Sequence, residues 1–481
     1  MKNISLRKTR RQFLRSSFLG LAATATSRAL PVFAMNSVPT GEIAAWVTAG
    51  NNRFTPVTGL AWRAASTPPP GSVIVLNPEK EFQTILGFGG AFTEATCFTF
   101  NRLRPQARET LFHELFHPTQ LALNVCRTCI GSSDYSLKAY SYDDGKTDRE
   151  LKRFTIAHDR PYILPILREA RNLNPDMFLF SSPWSPPGWM KSGGSLLGGS
   201  MRRVYMPVYA RYFVKFLEDY FQAGVPIQAV TVQNEVDTDQ DARMPACIWP
   251  QEYEIEFVRD HLGPLLEKSR ISTKIWVLDH NYNLWGRAVA ELDDADLRKY
   301  CNAIAWHGYF GTPEMMTKAH EAHPDAEMHW TEGGSDYTAP DYLTDWAKWG
   351  ETFTGVLRNW AESITAWNLA LDENGKPNIG PFSCGGLVTI HSHTDEIVRS
   401  GQYWGISHFS RAIRRGARRF DSVCTLPSVS HAAFANPDGT RVLVVTNRGS
   451  ERTATVQLGA AEAEIKLEKD SLTTWVWSKE V

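Results

Sequence analysis

Short apolar runs alternate with longer amphipathic stretches over most of the chain, and this pattern predicts an α/β fold. Eight of the apolar runs have the length of buried strands. They span residues 85–88, 121–127, 177–182, 229–233, 274–278, 303–306, 327–331 and 364–367. Helical periodicity lies between several of them, as at 207–222 and 251–266. Eight strands with intervening helices over about 320 residues fit a (β/α)8 TIM barrel.

Both ends of the chain show the two-residue alternation of antiparallel strands instead. The C-terminal segments are 441–446, 453–458, 463–467 and 472–477, and near the N-terminus 73–76 follows a breaker at 66–71. We expect the barrel to occupy residues 82–404, and residues 35–81 and 405–481 to form an accessory antiparallel β-domain. A doubly wound open sheet is the competing fold, but Gly-Phe-Gly-Gly at 87–90 lacks the full dinucleotide-binding spacing.

Residues 1–34 carry seven basic side chains and no acidic one, which is typical of a targeting segment. Thr-Arg-Arg-Gln-Phe-Leu-Arg at 9–15 resembles the twin-arginine export signal, and Val-Phe-Ala at 32–34 fits a cleavage site. The apolar stretch between them is too short to span a bilayer as a permanent helix. We therefore expect a signal peptide and a periplasmic or secreted protein with no integral membrane span. A disordered basic tail is the alternative.

The charge balance limits the possible partners. Removing the seven basic residues of this segment from the 51 of the whole chain leaves 44 against 52 acidic residues, a net charge of −8. That balance argues against binding to nucleic acid or to an anionic membrane. Cys126 and Cys129 lie in a predicted strand, where positions three apart face opposite sides, so we interpret them as packing residues.

Two carboxylates end predicted barrel strands: Glu235 follows the fourth, and Glu332 the seventh. Parallel barrel strands bring their C-terminal ends to one face, where barrel enzymes have their sites. Two carboxylates on that face can cleave a glycosidic bond, one as acid/base and one as nucleophile. A solvated loop glutamate is the ordinary alternative for either residue alone, but the aromatic segments nearby favour catalysis for the pair.

Polar and aromatic residues end most of the other predicted strands on the same face. Trp184 and Trp189 follow the third strand in a proline-rich loop, where the indoles could stack on a sugar or simply pack loops. The other candidates are Arg127 and Asp134 after the second strand, His307 (as a supporting residue) and Tyr309 after the sixth, and Trp367 at the eighth.

Seven ordered segments resemble glycoside hydrolase family 30, the family of lysosomal glucosylceramidase and its bacterial relatives. They are GFGGAFT at 87–93, SPWSPPGW at 182–189, TVQNE at 231–235, FVRDHLGP at 257–264, WTE at 330–332, WNLAL at 367–371 and HFS at 408–410. The resemblance runs from about residue 83 to the C-terminus. It implies a (β/α)8 barrel with an accessory antiparallel β-sandwich domain built from both chain ends.

The resemblance also implies individual roles. Glu235 takes the acid/base position, Glu332 the nucleophile position, and Asn234 that of a donor to the sugar 2-hydroxyl and the nucleophile. Further positions of the family are matched by Asp134 for the far hydroxyls of glucose, Trp184 and Trp367 in the glycone pocket, Tyr309 near the nucleophile and Arg127 beneath the site.

Three positions depart from the family pattern. Val236 stands where the family usually has proline, Gly308 replaces an aromatic residue, and Ala366 replaces an aspartate often found before Trp367. We expect the first change to affect only the loop, whereas the other two could reshape the pocket and its preference.

These observations predict an exported retaining β-glycosidase that hydrolyses β-glucosides by double displacement, with the charge of Glu332 raising the proton affinity of Glu235. The expected partner is a β-linked glucoside, glycolipid or oligosaccharide. We expect no metal or organic cofactor, because His391 and His393 fit a polar loop and no ligand cluster is evident. The alternatives are an endo-β-1,6-glucanase, a β-xylosidase or a β-fucosidase of the same family, or an inactive carbohydrate-binding protein. Asp134 favours exo-action on glucose, and the oligomeric state stays open.

Overall fold

The computed structural model describes residues 41–65 and 73–479, so the predicted export signal at 1–34 and the breaker at 66–71 lie outside the described residues. The strands are β1 Ala44–Ala49, β2 Asn52–Val57, β3 Arg63–Ala64, β4 Val73–Thr84, β5 Gly87–Phe92, β6 Val125–Cys129, β7 Phe178–Ser182, β8 Ala229–Thr231, β9 Lys274–Asn281, β10 Ala303–His307, β11 Glu327–Glu332, β12 Ser363–Ala366, β13 Ala370–Leu371, β14 Val388–Ile390, β15 Ile397–Arg399, β16 Arg418–Cys424, β17 Val429–Ala435, β18 Thr440–Asn447, β19 Arg452–Leu458, β20 Ala461–Leu467 and β21 Ser471–Ser478.

Ten α-helices surround or follow the barrel strands in the described ranges. They are α1 Glu94–Arg102, α2 Pro105–Phe116, α3 Ile163–Leu173, α4 Met206–Gln222, α5 Gln251–Glu256, α6 Gly263–Ser269, α7 Trp285–Leu292, α8 Glu314–Ala322, α9 Trp346–Arg358 and α10 Gly401–Ser410. A π-helical stretch, Phe257–Leu262, joins α5 to α6, and short 3-10 turns are Gly188–Met190, Arg203–Tyr205, Gln240–Ala242, Tyr282–Leu284 and Leu297–Lys299. Among the described residues, no helix combines the length and the apolar character needed to cross a membrane.

Strands β5 to β12 form a closed parallel barrel, in which β12 pairs with β5. All eight predicted strands correspond to these barrel strands, which confirms the predicted fold class. The second predicted strand is displaced: residues 121–123 belong to the turn after α2, where the Leu121 N–H donates to the Glu114 carbonyl, and the strand begins at Val125. Cys126 and Cys129 lie in different buried clusters on the two sides of β6, as predicted.

The remaining large sheet contains ten strands in the order β2-β1-β21-β18-β17-β16-β4-β19-β20-β3. Strands from both chain ends therefore share one sheet, whose two halves enclose a single apolar core that includes Leu76, Val456 and Trp475. Within β18, Leu443 and Val445 face this core, whereas Val442 and Val444 belong to the cluster of the barrel helices. This is the predicted accessory β-sandwich.

Helix α10 crosses the predicted domain boundary between residues 404 and 405 and continues to Ser410. Gly405 lies inside this helix. A Cβ at this position would lie 2.7 Å from Cβ of Trp349 in α9, so the close packing of the two helices leaves little room for a side chain. The helix packs between β5 of the barrel and β21 of the sandwich. It therefore belongs to the surface that joins the two.

Candidate active site

A cavity of about 380 Å³ opens at the C-terminal ends of the barrel strands, within the size range usual for small-molecule sites. Seven of the predicted site residues line it: Asp134, Trp184, Asn234, Glu235, Tyr309, Glu332 and Trp367. The predicted supporting residues Arg127 and His307 are fully buried behind this lining. The cavity thus brings together side chains from six strand ends.

Glu332, the last residue of β11, has both carboxylate oxygens engaged. The Tyr309 hydroxyl donates to Oε1 over 2.9 Å, and Arg127 Nη1 donates to Oε2 over 2.5 Å. Burial raises the pKa of Glu332; His307 and Arg127 oppose this increase, but the pKa remains above its usual value. The charge of Glu235 adds to the increase.

Arg127 organises the floor of the cavity from the middle of β6. Its Nε donates to Ser182, Nη1 to Glu332 and the Thr331 carbonyl, and Nη2 to Asn234 Oδ1 and Asp279 Oδ2. All five N–H groups of the guanidinium thus have acceptors, as a buried arginine requires. Because Asn234 Oδ1 accepts from Arg127, its amide Nδ2 remains free to donate into the cavity.

Asp279 is a central site residue that the sequence analysis missed. Its two oxygens accept hydrogen bonds from Arg127, Ser182, Thr231, His307 and Thr331. Burial raises the pKa of this carboxyl, but Arg127 and His307 outweigh it and hold the pKa well below its usual range. The predicted strand ended at Leu278, and an aspartate directly after it was the available signal.

Strand β9 reaches Asp279 through an irregularity in its backbone. Leu278 and Asp279 have φ of 73° and 46°, and the pairing with β10 skips Asp279, since Leu278 opposes Ala305 whereas His280 opposes Trp306. Such a bulge changes the direction of side chains at a strand end. It allows both Asp279 and His280 to face the site.

Glu235 follows β8 with a left-handed backbone, φ 54°, a conformation often held by functional residues. Gln240 Nε2 donates to its Oε2 over 2.6 Å. On the other side, Oε1 lies 3.6 Å from His307 Nδ1 and 4.0 Å from His280 Nδ1. His280, like Asp279, was not among the predicted site residues.

The direction of the pKa shift of Glu235 is opposite to our expectation. Burial raises its pKa, but the contact with His307 and the charge of His280 lower it below the usual value. Burial lowers the pKa of His307, whereas the charge of Glu332 and the bond to Asp279 raise it to about 9. The expectation considered only Glu332: His307 was predicted as a supporting residue but not as a neighbour of Glu235, and His280 was not predicted.

Two stacked indoles and an unpaired carboxyl oxygen form the inner end of the cavity. The rings of Trp184 and Trp367 lie 5.1 Å apart at an interplanar angle of 21°. Asp134 is buried, and its Oδ1 has no hydrogen-bond partner among the described residues. Burial and the charges of Glu332 and Glu235 raise the pKa of Asp134 well above its usual range. Met244, Phe382 and Cys384 also line the cavity and were not predicted.

Trp189 is not on the cavity, so of the two alternatives for this indole, sugar stacking and loop packing, the structure supports loop packing. The ring is buried edge-on against Tyr205, and its Nε1 donates to the Asp143 carbonyl over 2.9 Å. Trp189 therefore anchors the loop that carries Trp184.

The three positions that depart from the family pattern lie in different structural environments. A Cβ at Gly308 would lie 2.6 Å from the indole of Trp330, which therefore leaves little room for an aromatic side chain at this position. Val236 is buried, and its carbonyl accepts a hydrogen bond from the backbone N–H of Trp249 over 2.7 Å. Ala366 is the buried last residue of β12.

In the described part of the chain, two groups of side chains could hold a metal ion: Glu235 with His280 and His307, and Glu327 with His329 and Glu362. The expectation that no ligand cluster exists considered residues close in sequence. These residues come together from separate strands, so their proximity arises only in the fold.

Comparison with known proteins covers both parts of the fold. The model of the glycosyl hydrolase family 30 TIM-barrel domain matches residues 85–413, and that of the glycosyl hydrolase family 30 beta sandwich domain matches residues 416–475. An endo-1,6-beta-D-glucanase of Neurospora crassa is 34% identical over 423 residues, covering 83% of this chain and 86% of that protein. The lysosomal acid glucosylceramidase of Mus musculus is 30% identical over 402 residues, covering 79% and 78%.

Two solved structures have the same architecture over nearly the whole chain. The endo-beta1,6-glucanase BT3312 superposes with a TM-score of 0.83 at 29% identity and covers 92% of this chain and 100% of that one. SrfJ from Salmonella typhimurium gives a TM-score of 0.86 at 27% identity, with coverages of 91% and 100%.

Proposed function

Because the chain belongs to glycoside hydrolase family 30, we propose that it is a retaining β-glycosidase that hydrolyses β-glucosides. The observation that carries the proposal is one cavity lined by both Glu235 and Glu332, with two indoles and Asp134 at its inner end. Two carboxyl groups suffice for double displacement, and aromatic rings and a carboxylate suit the faces and hydroxyls of a sugar.

In the first proposed step, Glu332 attacks the anomeric carbon while Glu235 donates a proton to the departing oxygen. Arg127 and Tyr309 hold the Glu332 carboxylate in one orientation, so the nucleophile is already positioned before it attacks. The proton comes from the pair of Glu235 and His307, whose facing atoms are 3.6 Å apart.

In the second step, Glu235 removes a proton from the water that releases the sugar from Glu332. Once the ester has formed, Glu332 is neutral, so it no longer raises the proton affinity of its neighbours. The free amide of Asn234 can donate to the sugar 2-hydroxyl beside the reacting carbon. Asp134 can bind the far hydroxyls, which favours glucose over xylose.

Cleavage within β-1,6-glucan is the second candidate activity. It is favoured by the Neurospora crassa endo-1,6-beta-D-glucanase and by BT3312, which resemble this chain over most of its length. At the cavity mouth, the exposed rings of Tyr309 and Phe382 could bind a further sugar or the apolar part of a glycolipid.

A substrate series tests the proposal. We expect turnover of nitrophenyl β-glucoside with a kcat/KM well above that of the β-xyloside, followed by assays on glucosylceramide and on β-1,6-glucan. Glu332→Gln is the matched control and should lower kcat on every active substrate by roughly 10³-fold or more. No turnover of any β-glycoside would contradict the proposal, and release of short oligosaccharides from the glucan before glucose would establish endo-action.

We also propose that the protein is exported in folded form, on the basis of the arginine pair at 10–11 and the basic segment around it. Replacing both arginines with lysine should leave active precursor inside the cell, as measured by fractionation. Unimpaired export of that variant would contradict a twin-arginine route.

A further inference from the structure

Three potential ligand atoms converge beside the cavity. Oε1 of Glu235 lies 4.0 Å from His280 Nδ1 and 3.6 Å from His307 Nδ1, and all three atoms lie within 4.8 Å of one another. The two imidazole rings meet at an interplanar angle of 74°, with their centroids 5.8 Å apart. His280 is 6% exposed and His307 is 0% exposed, so the cluster is largely shielded from bulk water.

The far nitrogens of both histidines are already committed to carboxylates. His280 Nε2 lies 2.6 Å from Asp237 Oδ1, and His307 Nε2 lies 3.0 Å from Asp279 Oδ1. Each Nε2–H therefore donates to a carboxylate. An ion that displaces the proton shared by His307 and Glu235 would find a lone pair on Nδ1 of each ring, so its binding releases a proton. A carboxylate behind the imidazole is the arrangement that orients histidine ligands of metal ions.

The near nitrogens, in contrast, have no hydrogen-bond partner among the described residues, although both are buried. Both distances to Glu235 Oε1 exceed hydrogen-bonding length, and Glu235 is held in place through its other oxygen by Gln240. Buried polar atoms without partners are uncommon and require an explanation. Here the two nitrogens and the free oxygen of Glu235 lie within 4.8 Å of one another, close enough to bind one ion together.

We propose that Glu235, His280 and His307 form a binding site for a divalent transition-metal ion such as Zn²⁺ or Cu²⁺. Imidazole nitrogen and carboxylate oxygen are suitable ligands for these ions, whereas Mg²⁺ and Ca²⁺ prefer oxygen alone. Ligands at about 2.0–2.2 Å from a tetrahedral Zn²⁺ lie about 3.3 Å apart, so each imidazole need approach Glu235 by less than about 1 Å.

The surroundings also favour a cation. His280 Nε2 contacts the carboxylate of Asp237, and His307 Nε2 contacts those of Asp279 and Glu332. Arg127 is the cation that contacts Asp279 and Glu332. Glu235 and His280 line the cavity, so a fourth coordination position opens toward it. That position can hold water or a sugar hydroxyl.

Such an ion would be an inhibitor rather than a cofactor. It would bind the oxygen of Glu235 that faces His307, and so would prevent this carboxyl from exchanging protons with a substrate. Its binding would also compete with ligands that occupy the cavity. The inference concerns metal binding itself and does not depend on the sugar that the enzyme prefers.

The other groups that could bind a metal ion are less suitable. His329 Nδ1 lies 3.0 Å from the Ser363 hydroxyl, and the Lys274 ammonium lies 2.6 Å from Glu327, so an ion there would have to displace existing partners. On the surface, the rings of His113 and His117 stack 4.4 Å apart and could bind Cu²⁺ weakly. This surface pair provides a matched control.

The test uses the metal ion alone with the full chain. Zn²⁺ affinity is measured by calorimetry, and the nitrogen couplings of bound Cu²⁺ are measured by electron paramagnetic resonance. We expect one tight site with two imidazole nitrogens in the unaltered protein and in His117→Ala. His280→Ala should weaken Zn²⁺ binding at least about 10-fold and remove one nitrogen coupling. An iminosugar glycosidase inhibitor should weaken Zn²⁺ binding as well.

A second variant keeps the proposal testable if His280→Ala does not fold. Asp237→Asn retains all three ligands but removes the carboxylate behind His280, and it should weaken Zn²⁺ binding by roughly 10- to 100-fold. Unchanged Zn²⁺ affinity in both variants, loss of the tight site in His117→Ala, or no binding by the unaltered protein at millimolar Zn²⁺ would each overturn the proposal.

Discussion

Arg127 and Asp279 form a buried ion pair beneath the proposed catalytic carboxylates, with Nη2 and Oδ2 2.7 Å apart and both side chains inaccessible to solvent. The pair is satisfied only as part of a larger network, because Arg127 also bonds Glu332 and Asn234, and Asp279 also bonds His307. The positions of Glu332, Asn234 and His307 therefore depend on one guanidinium and one carboxylate.

Asp279→Asn should lower the free energy of unfolding by about 3–5 kcal/mol, because it removes one partner of a buried pair and leaves the other charge under-compensated. Urea denaturation measures the change. The control is Glu351→Gln, which breaks the half-exposed pair with Arg448 and should cost at most about 1 kcal/mol. Equal losses in the two variants would show that the buried pair has no special role in stability.

The sequence predicted the site residues that directly follow apolar runs, such as Glu235 and Glu332. Asp279 also follows an apolar run directly and was overlooked, whereas His280 lies beyond a bulge in β9 that leaves no mark in the periodicity. The direction of the Glu235 pKa shift was missed because it depends on contacts with His307 and His280 that arise only in the fold. Contacts between strand ends arise from the closure of the barrel, which the linear pattern does not record.

At the scale of elements, small residues set how closely barrel strands and their loops pack. Gly308 follows β10, and any Cβ at this position would lie 2.6 Å from Cζ2 of Trp330 in the neighbouring β11. Gly308 also stands between His307 and Tyr309, both of which contact the proposed catalytic carboxylates. The packing of the Trp330 indole thus constrains the path of the segment that carries His307 and Tyr309.

Gly308→Ala should lower the free energy of unfolding by about 1–3 kcal/mol, because the added methyl group would overlap the ring of the buried Trp330. It should also reduce turnover by displacing the Tyr309 hydroxyl from Glu332. Gly286→Ala is the control: this glycine is an exposed residue of α7 with no atom within 4 Å of the added Cβ, and the change should be neutral or stabilising by up to about 1 kcal/mol. Thermal and urea unfolding of both variants measure the difference, and a neutral Gly308→Ala would contradict this account of the packing.

The alternation of apolar residues predicted the eight barrel strands and five of the sandwich strands, β4 and β18 to β21, because each of these buries at least one face. It did not indicate β16 or β17, in which Arg418, Arg419 and Ser430 interrupt the pattern. Arg419 stacks on Phe82 at 3.7 Å and bonds Gln83, so its apolar stem and its charge are both accommodated at the junction with β4. The sequence suggests that Arg419 is exposed to solvent, but it is buried in the fold.

At the scale of the whole molecule, His408 links the barrel to both chain ends. It lies in α10, fully buried, with Nδ1 2.9 Å from Thr474 of β21 and Nε2 2.8 Å from Thr48 of β1. The Thr474 hydroxyl donates to the His408 carbonyl, so it accepts from Nδ1–H, and Nε2 accepts from Thr48. This arrangement requires a neutral ring. Burial, together with the charge of Arg411, lowers the pKa of His408 to about 3.

Because the unfolded chain protonates His408 near pH 6.5 and the folded chain only near pH 3, this residue destabilises the fold increasingly as the pH falls through that interval. Its contribution is absent above pH 6.5. His408→Gln, which can keep hydrogen bonds but does not titrate, should reduce the loss of stability between pH 6.5 and 4. Urea denaturation across this range measures it, and identical pH dependence in the two proteins would contradict the assignment.

With Glu332 as nucleophile and Glu235 as acid/base, as proposed, hydrolysis proceeds through two displacements. The most direct measurement is proton NMR of the sugar first released from a β-glucoside that the enzyme turns over, recorded before mutarotation. We expect the β-anomer, because two inversions restore the original configuration. Initial release of the α-anomer would mean a single displacement by water and would contradict the role assigned to Glu332.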